Sequence, residues 1–391
     1  MILPLPKKHQ IIVATKACLC GVRLLFMFFV FASTNLLAQV ENTGMTDRQD
    51  SLELGKVKIS GYVDVYYGFD FNEPLNSDRP YSVSSPRHNE INVNLAYVDF
   101  KYQNDKIRAR FVPGVGTYIN SNYASESGSL KGIVEANVGV KLHKSKEIWV
   151  DAGVMGAPFT NESAVSKDHL MYTRSFSAEY SPYYITGVRL TYPINEKFCT
   201  YAYVINGWQQ ISDVNNPLSV AGQLEYKPTN NLLVNYNFYI GSEQSLQNPN
   251  FGNRYFNDLY FIYKSSKKIS FTSNVYYGLQ SSKDTLNQQT SLLPWYQGNF
   301  IARYALGNET SVSGRIEYFE DLNKIVIQPE TNSPGFSTFS AGLCFDKKFG
   351  KHAMFRLEGR HYFSEQNIYL NSKQNPTNSD NLLIASLSAW F

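Results

Sequence analysis

The sequence has little of what would mark a disulfide-stapled domain, a nucleic-acid binder or an enzyme. Cysteine occurs four times in 391 residues, too sparsely for a disulfide framework. Charge has no dominant sign: 36 basic stand against 33 acidic residues, so no nucleic-acid partner is expected. No run of about 20 apolar residues could span a bilayer as a helix, and no window makes a persuasive amphipathic helix. The motifs G-x-S-x-G, H-E-x-x-H and the P-loop are missing. His88, His143, His169, His352 and His361 are scattered without metal-ligand spacing. Catalytic residues, metal and cofactor are therefore all expected to be none.

What is present begins with an export signal. Lys7, Lys8, Lys16 and Arg23 precede the apolar run Leu24 to Ala32, and Leu36-Leu37-Ala38 follows before a polar stretch. A basic region, a short apolar region and a small residue predict a signal peptide over 1–38, cleaved after Ala38. Its loss removes four basic and no acidic residues, leaving 32 against 33 and a net charge of −1. Cys18 and Cys20 leave with it, so Cys199 and Cys344 remain. Residues 39–55, QVENTGMTDRQDSLELG, are polar and aperiodic, a flexible periplasmic leader. Residues 56–391 show no linker and are expected to form one domain.

From residue 56 the pattern has a period of two. In KVKISGYVDVYYGFDF the positions Val57, Ile59, Gly61, Val63, Val65, Tyr67 and Phe69 are apolar or small, while Lys58, Ser60 and Asp64 alternate with them. That is a strand with one greasy and one wet face. About sixteen such segments follow one another to the end, those of the second, fifth and seventh being of mixed phase. Their connections alternate: short ones such as QNDK, PINEK and LGNE, long ones such as 71–90, 159–182 and 321–336. The fold class expected is all-β, a transmembrane antiparallel β-barrel with short periplasmic turns and long extracellular loops. Tyr192, Tyr226, Tyr263, Tyr304 and Phe345 lie near short turns on the apolar phase, where rings form an interfacial girdle.

The chain ends NLLIASLSAWF. Leu383, Ala385, Leu387 and Ala389 share the phase of Phe391 and would meet lipid. Such an ending resembles the C-terminal signature read by the barrel assembly machinery, an expected partner through Phe391. Sixteen strands would set Cys199 and Cys344 about half a circumference apart, so free thiols are expected.

Charges fall on the other phase: Arg108, Arg110, Glu135, Lys141, Arg189, Glu225, Arg303, Arg315, Glu317, Arg356, Glu358 and Arg360. A dry core could not hold so many ionised groups, whereas a water-filled lumen can. These twelve are the candidate pore-lining and selectivity residues. The connection 159–182 carries Glu162, Asp168, His169, Arg174 and Glu179. Folded inward it would constrict the pore and set acidic groups against a basic wall, with a transverse field between them.

Three stretches resemble a known family. MGAPFTNES, YTRSFSAEYSPYYITGVRL and YVINGWQQISDVNN are similar to the β-barrel porins called OmpL-like. The likeness lies in Ala157-Pro158-Phe159, Arg174-Ser175, Ser181-Pro182 with Gly187, and Asn206-Gly207-Trp208. Where the pattern would have a glycine after Phe159, this chain has Thr160. Gly187 falls mid-strand, where glycine marks a bulge or a close backbone approach, and Trp208 is expected at the outer rim. The resemblance implies an outer-membrane porin for passive diffusion of small hydrophilic solutes, with membrane lipid around it. Homo-trimers are common among porins of this strand number. The alternative is a receptor or adhesin scaffold, and after it a barrel hydrolase.

Overall fold

The computed structural model describes residues 52–54, 57–264, 268–284, 286 and 288–391. The expected signal peptide 1–38 lies outside the described residues, as does the leader 39–55 apart from Leu52–Leu54.

Among the described residues one 17-stranded antiparallel sheet forms. Sixteen of its strands follow chain order: β1 (Val57–Asp70), β2 (Ile91–Gln103), β3 (Ile107–Val115), β4 (Ile133–Lys141), β5 (Trp149–Gly156), β6 (Tyr184–Pro193), β7 (Phe198–Ile205) and β8 (Ser219–Thr229). Then come β9 (Leu232–Ser242), β10 (Phe251–Lys264), β11 (Ile269–Lys283), β12 (Thr290–Ala305), β13 (Thr310–Asp321), β14 (Phe336–Phe349), β15 (Ala353–Phe363) and β16 (Ser379–Trp390). Each pairs with its neighbours, and β16 pairs back onto β1 from Leu382 opposite Asp70 to Trp390 opposite Tyr62. The sheet is thereby a closed barrel. The seventeenth strand, Leu52–Leu54, pairs only with Val57 to Ile59.

The period-two pattern places side chains as a bilayer requires. On β10, Tyr255 and Leu259 are exposed while Arg254, Phe256, Asp258 and Tyr260 are buried. On β13, Val312, Ile316 and Tyr318 face out, and Ser313, Arg315, Glu317 and Phe319 face in. This inverts a soluble protein, for the exposed rows are apolar and the buried ones carry much of the charge. Tyr304 and Phe345 are exposed near the short turns, and Tyr226 and Tyr263 stack on their cross-strand neighbours Phe198 and Phe271 at 4.3 and 4.8 Å.

Strand 2 owes its mixed phase to a bulge. The register with β1 shifts between Asp64 and Val65, and the extra residue, Asn94, turns inward to donate to Asp64 at 2.9 Å. Strands β5 and β7 pair with no such shift. Gly187 is a close approach: at φ +155, any Cβ there would strike the Val204 backbone. The third strand stops at Val115 and gives way to the helix α1 (Thr117–Asn122). A second, four-residue helix, α2 (Phe176–Glu179), lies in the connection after β5. Cys199 and Cys344, on β7 and β14, are free and buried.

The terminal ring sits on the seam. Phe391 exchanges both backbone bonds with Gly61, each 3.1 Å, and its ring occupies the space where a Cβ at 61 would lie. Gly61→Leu is expected to displace that ring and destabilise the barrel by about 1–3 kcal/mol. Gly359→Leu, with nothing within 4 Å of its Cβ position, is the neutral comparison. Loss of the folded band on unheated gels checks both, and equal behaviour of the two variants contradicts the seam argument.

Candidate functional site

The connection between β5 and β6, residues 157–183, lies against the inner wall of the barrel. An irregular segment there presents N–H and C=O groups that no ladder satisfies, and charged side chains of the wall meet them one by one. Arg356 on β15 donates to the carbonyls of Ser166 and Met171, both at 2.7 Å, and of His169 at 2.8 Å. Glu358, two residues on, accepts from the N–H groups of Tyr172 at 2.8 Å and Thr173 at 2.9 Å, and from the Thr173 hydroxyl. Arg315 on β13 donates to the Thr173 carbonyl at 2.7 Å and pairs with Glu358 at 3.1 Å. Arg360 donates to the Arg174 carbonyl at 2.9 Å and pairs with Glu317, which accepts from Phe176 N–H at 2.8 Å. Arg303 on β12 reaches the His169 and Leu170 carbonyls at 3.0 and 2.8 Å, and Asp346 at 2.6 Å.

Charge-assisted bonds of this kind are the strong ones, and they consume the side chains that make them. Arg315, Glu317 and Glu358 are 0% exposed and Arg356 1%. Of the twelve candidate lumen residues, Arg303, Arg315, Glu317, Arg356, Glu358 and Arg360 therefore hold the loop instead of facing free water.

The loop's own ionised groups are also engaged. Glu162 accepts from the Ser175 N–H at 2.7 Å and hydroxyl at 2.5 Å. Asp168 pairs with Lys167 at 3.2 Å. Arg174 pairs with Glu179 at 3.0 Å and stacks its guanidinium 3.7 Å from the Tyr183 ring centre. Glu179 also accepts from the N–H groups of Val83 at 2.6 Å and Ser84 at 3.0 Å, tying in the loop 71–90. Burial, with Arg356 and Arg174 nearby, pushes the His169 imidazole well below its ordinary range, so it stays neutral. The expected transverse field is not what this geometry builds. Of the loop's carboxylates Glu162 approaches a wall arginine, at 3.8 Å from Arg315, and otherwise the wall arginines bond loop carbonyls, the Thr173 hydroxyl and the wall's own carboxylates.

Phe159 of the corner and Trp208 both pack inward. Thr160, standing where the family pattern suggests glycine, has φ +63, a left-handed conformation unfavourable for a β-branched residue. Its N–H donates to Asp258 on β10 at 3.0 Å, which holds it there. Trp208 is no lipid-facing rim residue; its ring lies 6.0 Å from that of Phe159 and edge-on to Phe256 at 4.9 Å.

The opposite wall keeps the other six candidates, all partly exposed. Arg108 pairs with Asp151 at 2.5 Å and Arg189 with the same carboxylate at 3.0 Å. Arg110 bridges Asp99 at 2.8 Å and Glu135 at 2.5 Å. Lys141 pairs with Glu147, and Glu225 with Lys227 at 2.8 Å. Asp99, Lys101, Glu147, Asp151 and Lys227 escape the sequence reading, Asp99, Lys101 and Asp151 because strands 2 and 5 were of mixed phase. Among the described residues no cluster of three or more His, Cys, Asp or Glu could hold a metal ion.

Glu358→Ala leaves Arg315 and two backbone N–H groups without their acceptor, and is expected to cost about 3–5 kcal/mol. Removing the exposed partner of Lys347 by Glu309→Ala should leave stability nearly unchanged. Guanidinium unfolding in detergent compares them, and equal costs would show that the buried cluster does not hold the loop. In the same assay Thr160→Gly is expected to gain about 1 kcal/mol by relieving the backbone.

No curated protein matches the sequence. Among solved structures, the outer membrane channel DcaP of Acinetobacter baumannii superposes with a TM-score of 0.59 at 10% identity, over 89% of this chain and 99% of that one. The anion-selective porin of Comamonas acidovorans gives 0.56 at 9%, over 86% and 99%. OmpT of Vibrio cholerae in its trimer form gives 0.53 at 11%, over 86% and 99%. At these identities the likeness is one of fold. The family model described as beta-barrel porin-2, OmpL-like, matches residues 56–391. A closed 16-strand barrel with a polar interior is the architecture of such a protein, and the chain belongs to the β-barrel porin-2, OmpL-like family.

Proposed function

We propose that this chain is a passive diffusion pore of the outer membrane, reached by export through residues 1–38, for small hydrophilic solutes. The observation that carries the reading is the division of the inner wall. The loop 159–182 is fastened to β10–β15, while Arg108, Arg110, Glu135, Lys141, Arg189 and Glu225 on β3–β8 remain partly exposed, so the route for solute runs along that second wall. Its lining is arginine-rich and mixed in sign, and filtering is by size and charge with no cofactor. The loop acts as the constriction, narrowing the lumen from one side.

The long connections support this reading over a receptor or adhesin scaffold. The loop 71–90 bonds to Glu179 and, through Tyr81, to Ile368 and to Glu330 N–H at 2.8 Å. Loops that pack on one another present little free surface to a partner. We also propose a homo-trimer, the state in which the OmpT barrel has been solved, and assembly through the terminal Phe391.

Purified protein in a planar bilayer is expected to show discrete open steps. Replacing residues 161–175 by a short Gly/Ser linker should raise single-channel conductance by roughly twofold or more, since the constriction goes with it. A folded barrel that never opens would sink the pore, and an unchanged conductance would sink the constriction.

A further inference from the structure

Resting on the pore reading, we infer that Lys101, Arg108, Arg110 and Arg189 form a binding site for a small oxyanion on the open wall of the lumen. The four side chains come from three strands and are brought together by register. Lys101 on β2 lies opposite Arg110 on β3. Arg108, two residues from Arg110, lies opposite Gly139, which lies opposite Asp151, which lies opposite Arg189. Gly139 has no side chain, and a Cβ there would strike both the Asp151 carboxylate and the Arg108 stem. That gap lets Arg108 reach across β4 to Asp151. The Trp149 ring, 4.6 Å from the Arg108 guanidinium carbon, holds it in place.

The arrangement is layered. Asp99 and Asp151, with short side chains, sit at the wall at 3% and 1% exposure, while Lys101, Arg110, Arg189 and Arg108 stand over them at 38%, 30%, 22% and 13%. Counting signs alone hides this. With Lys141 and Glu147 beside them, five cations face four carboxylates, yet Asp99 and Asp151 are covered by the cations they anchor, leaving Glu135 and Glu147 as the exposed acids. The potential felt by a solute is set by the outer layer, which is positive.

The chemistry selects an oxyanion over a bare halide. Arg108 and Arg189 each bind Asp151 through Nε and Nη2; Arg189 also meets the Tyr203 hydroxyl, while among the described residues no hydrogen bond engages the Arg108 Nη1, whose N–H groups remain for a ligand. Anchored guanidinia offering such groups match the oxygens of phosphate or a carboxylate, which a spherical ion cannot use as well. Asp151 thus fixes the two forks and prevents either from collapsing onto a distant partner.

The probe is inorganic phosphate, added to full-length protein in planar bilayers carrying a chloride current. A saturable partial block by phosphate is expected, with Arg189→Gln raising the half-blocking concentration roughly tenfold and Lys101→Gln raising it less. Arg189→Lys, which keeps the charge and loses the fork, should fall between wild type and Arg189→Gln. Each variant is first checked for the heat-sensitive folded band. Open steps whose chloride current is indifferent to phosphate overturn the site and leave the pore standing, as does a block that the Arg189 and Lys101 variants share unchanged. Absence of open steps altogether is the failure of the pore reading itself.

Discussion

Hydrocarbon offers no hydrogen-bond partner, so a chain that crosses it must satisfy every backbone N–H and C=O within itself. For strands this forces closure: β16 has to pair with β1, and Phe391 with Gly61, or an edge would be left open in lipid. Once the sheet closes, alternation does the rest. Apolar side chains take the outer face, with rings such as Tyr296 and Tyr318 among them, and most charged groups on the strands are directed inward, where the only solvents are water and other parts of the protein. The charge-rich interior is therefore a consequence of the membrane, before any question of solute arises.

An interior crowded with charge is also what makes an inward loop stable. The connection 157–183 brings irregular backbone into the barrel, and its carbonyls and N–H groups would be costly to bury alone. Arg303, Arg315, Arg356 and Arg360 supply donors to the carbonyls, and Glu317 and Glu358 supply acceptors to the N–H groups. The same residue types that stay partly exposed at β3–β8 serve on the other wall as mortar. The proposed function rests on that asymmetry, with solute and loop dividing the circumference between them.

Much of the barrel was legible in the sequence because its causes are local. Strand segments show as period-two runs, and the alternation of short and long connections follows from antiparallel neighbours in a membrane. The departures have physical reasons. Asn94 was hidden by a bulge, which local pattern cannot distinguish from loss of a strand. Trp208 was read for a rim position, but its ring found Phe159, a partner set by the path of the loop. Thr160 marks the reverse case: the family pattern suggested glycine, and the backbone there is indeed left-handed, held by Asp258 from a strand about a hundred residues away.

By itself, then, the sequence determined, wherever the alternation is clean, which side chains point in and which point out, for that depends only on the pleat and on lipid as the outer solvent. It could not say which inward charges meet water. Arg315 and Arg110 stand in the same phase and look alike in the chain, yet one is sealed under a loop and the other is not. Only the tertiary structure decided that, since the loop's path is fixed by bonds between residues far apart in sequence. The same holds for the layering of cations over Asp99 and Asp151, which depends on the register of β2 through β6 and on the gap left at Gly139.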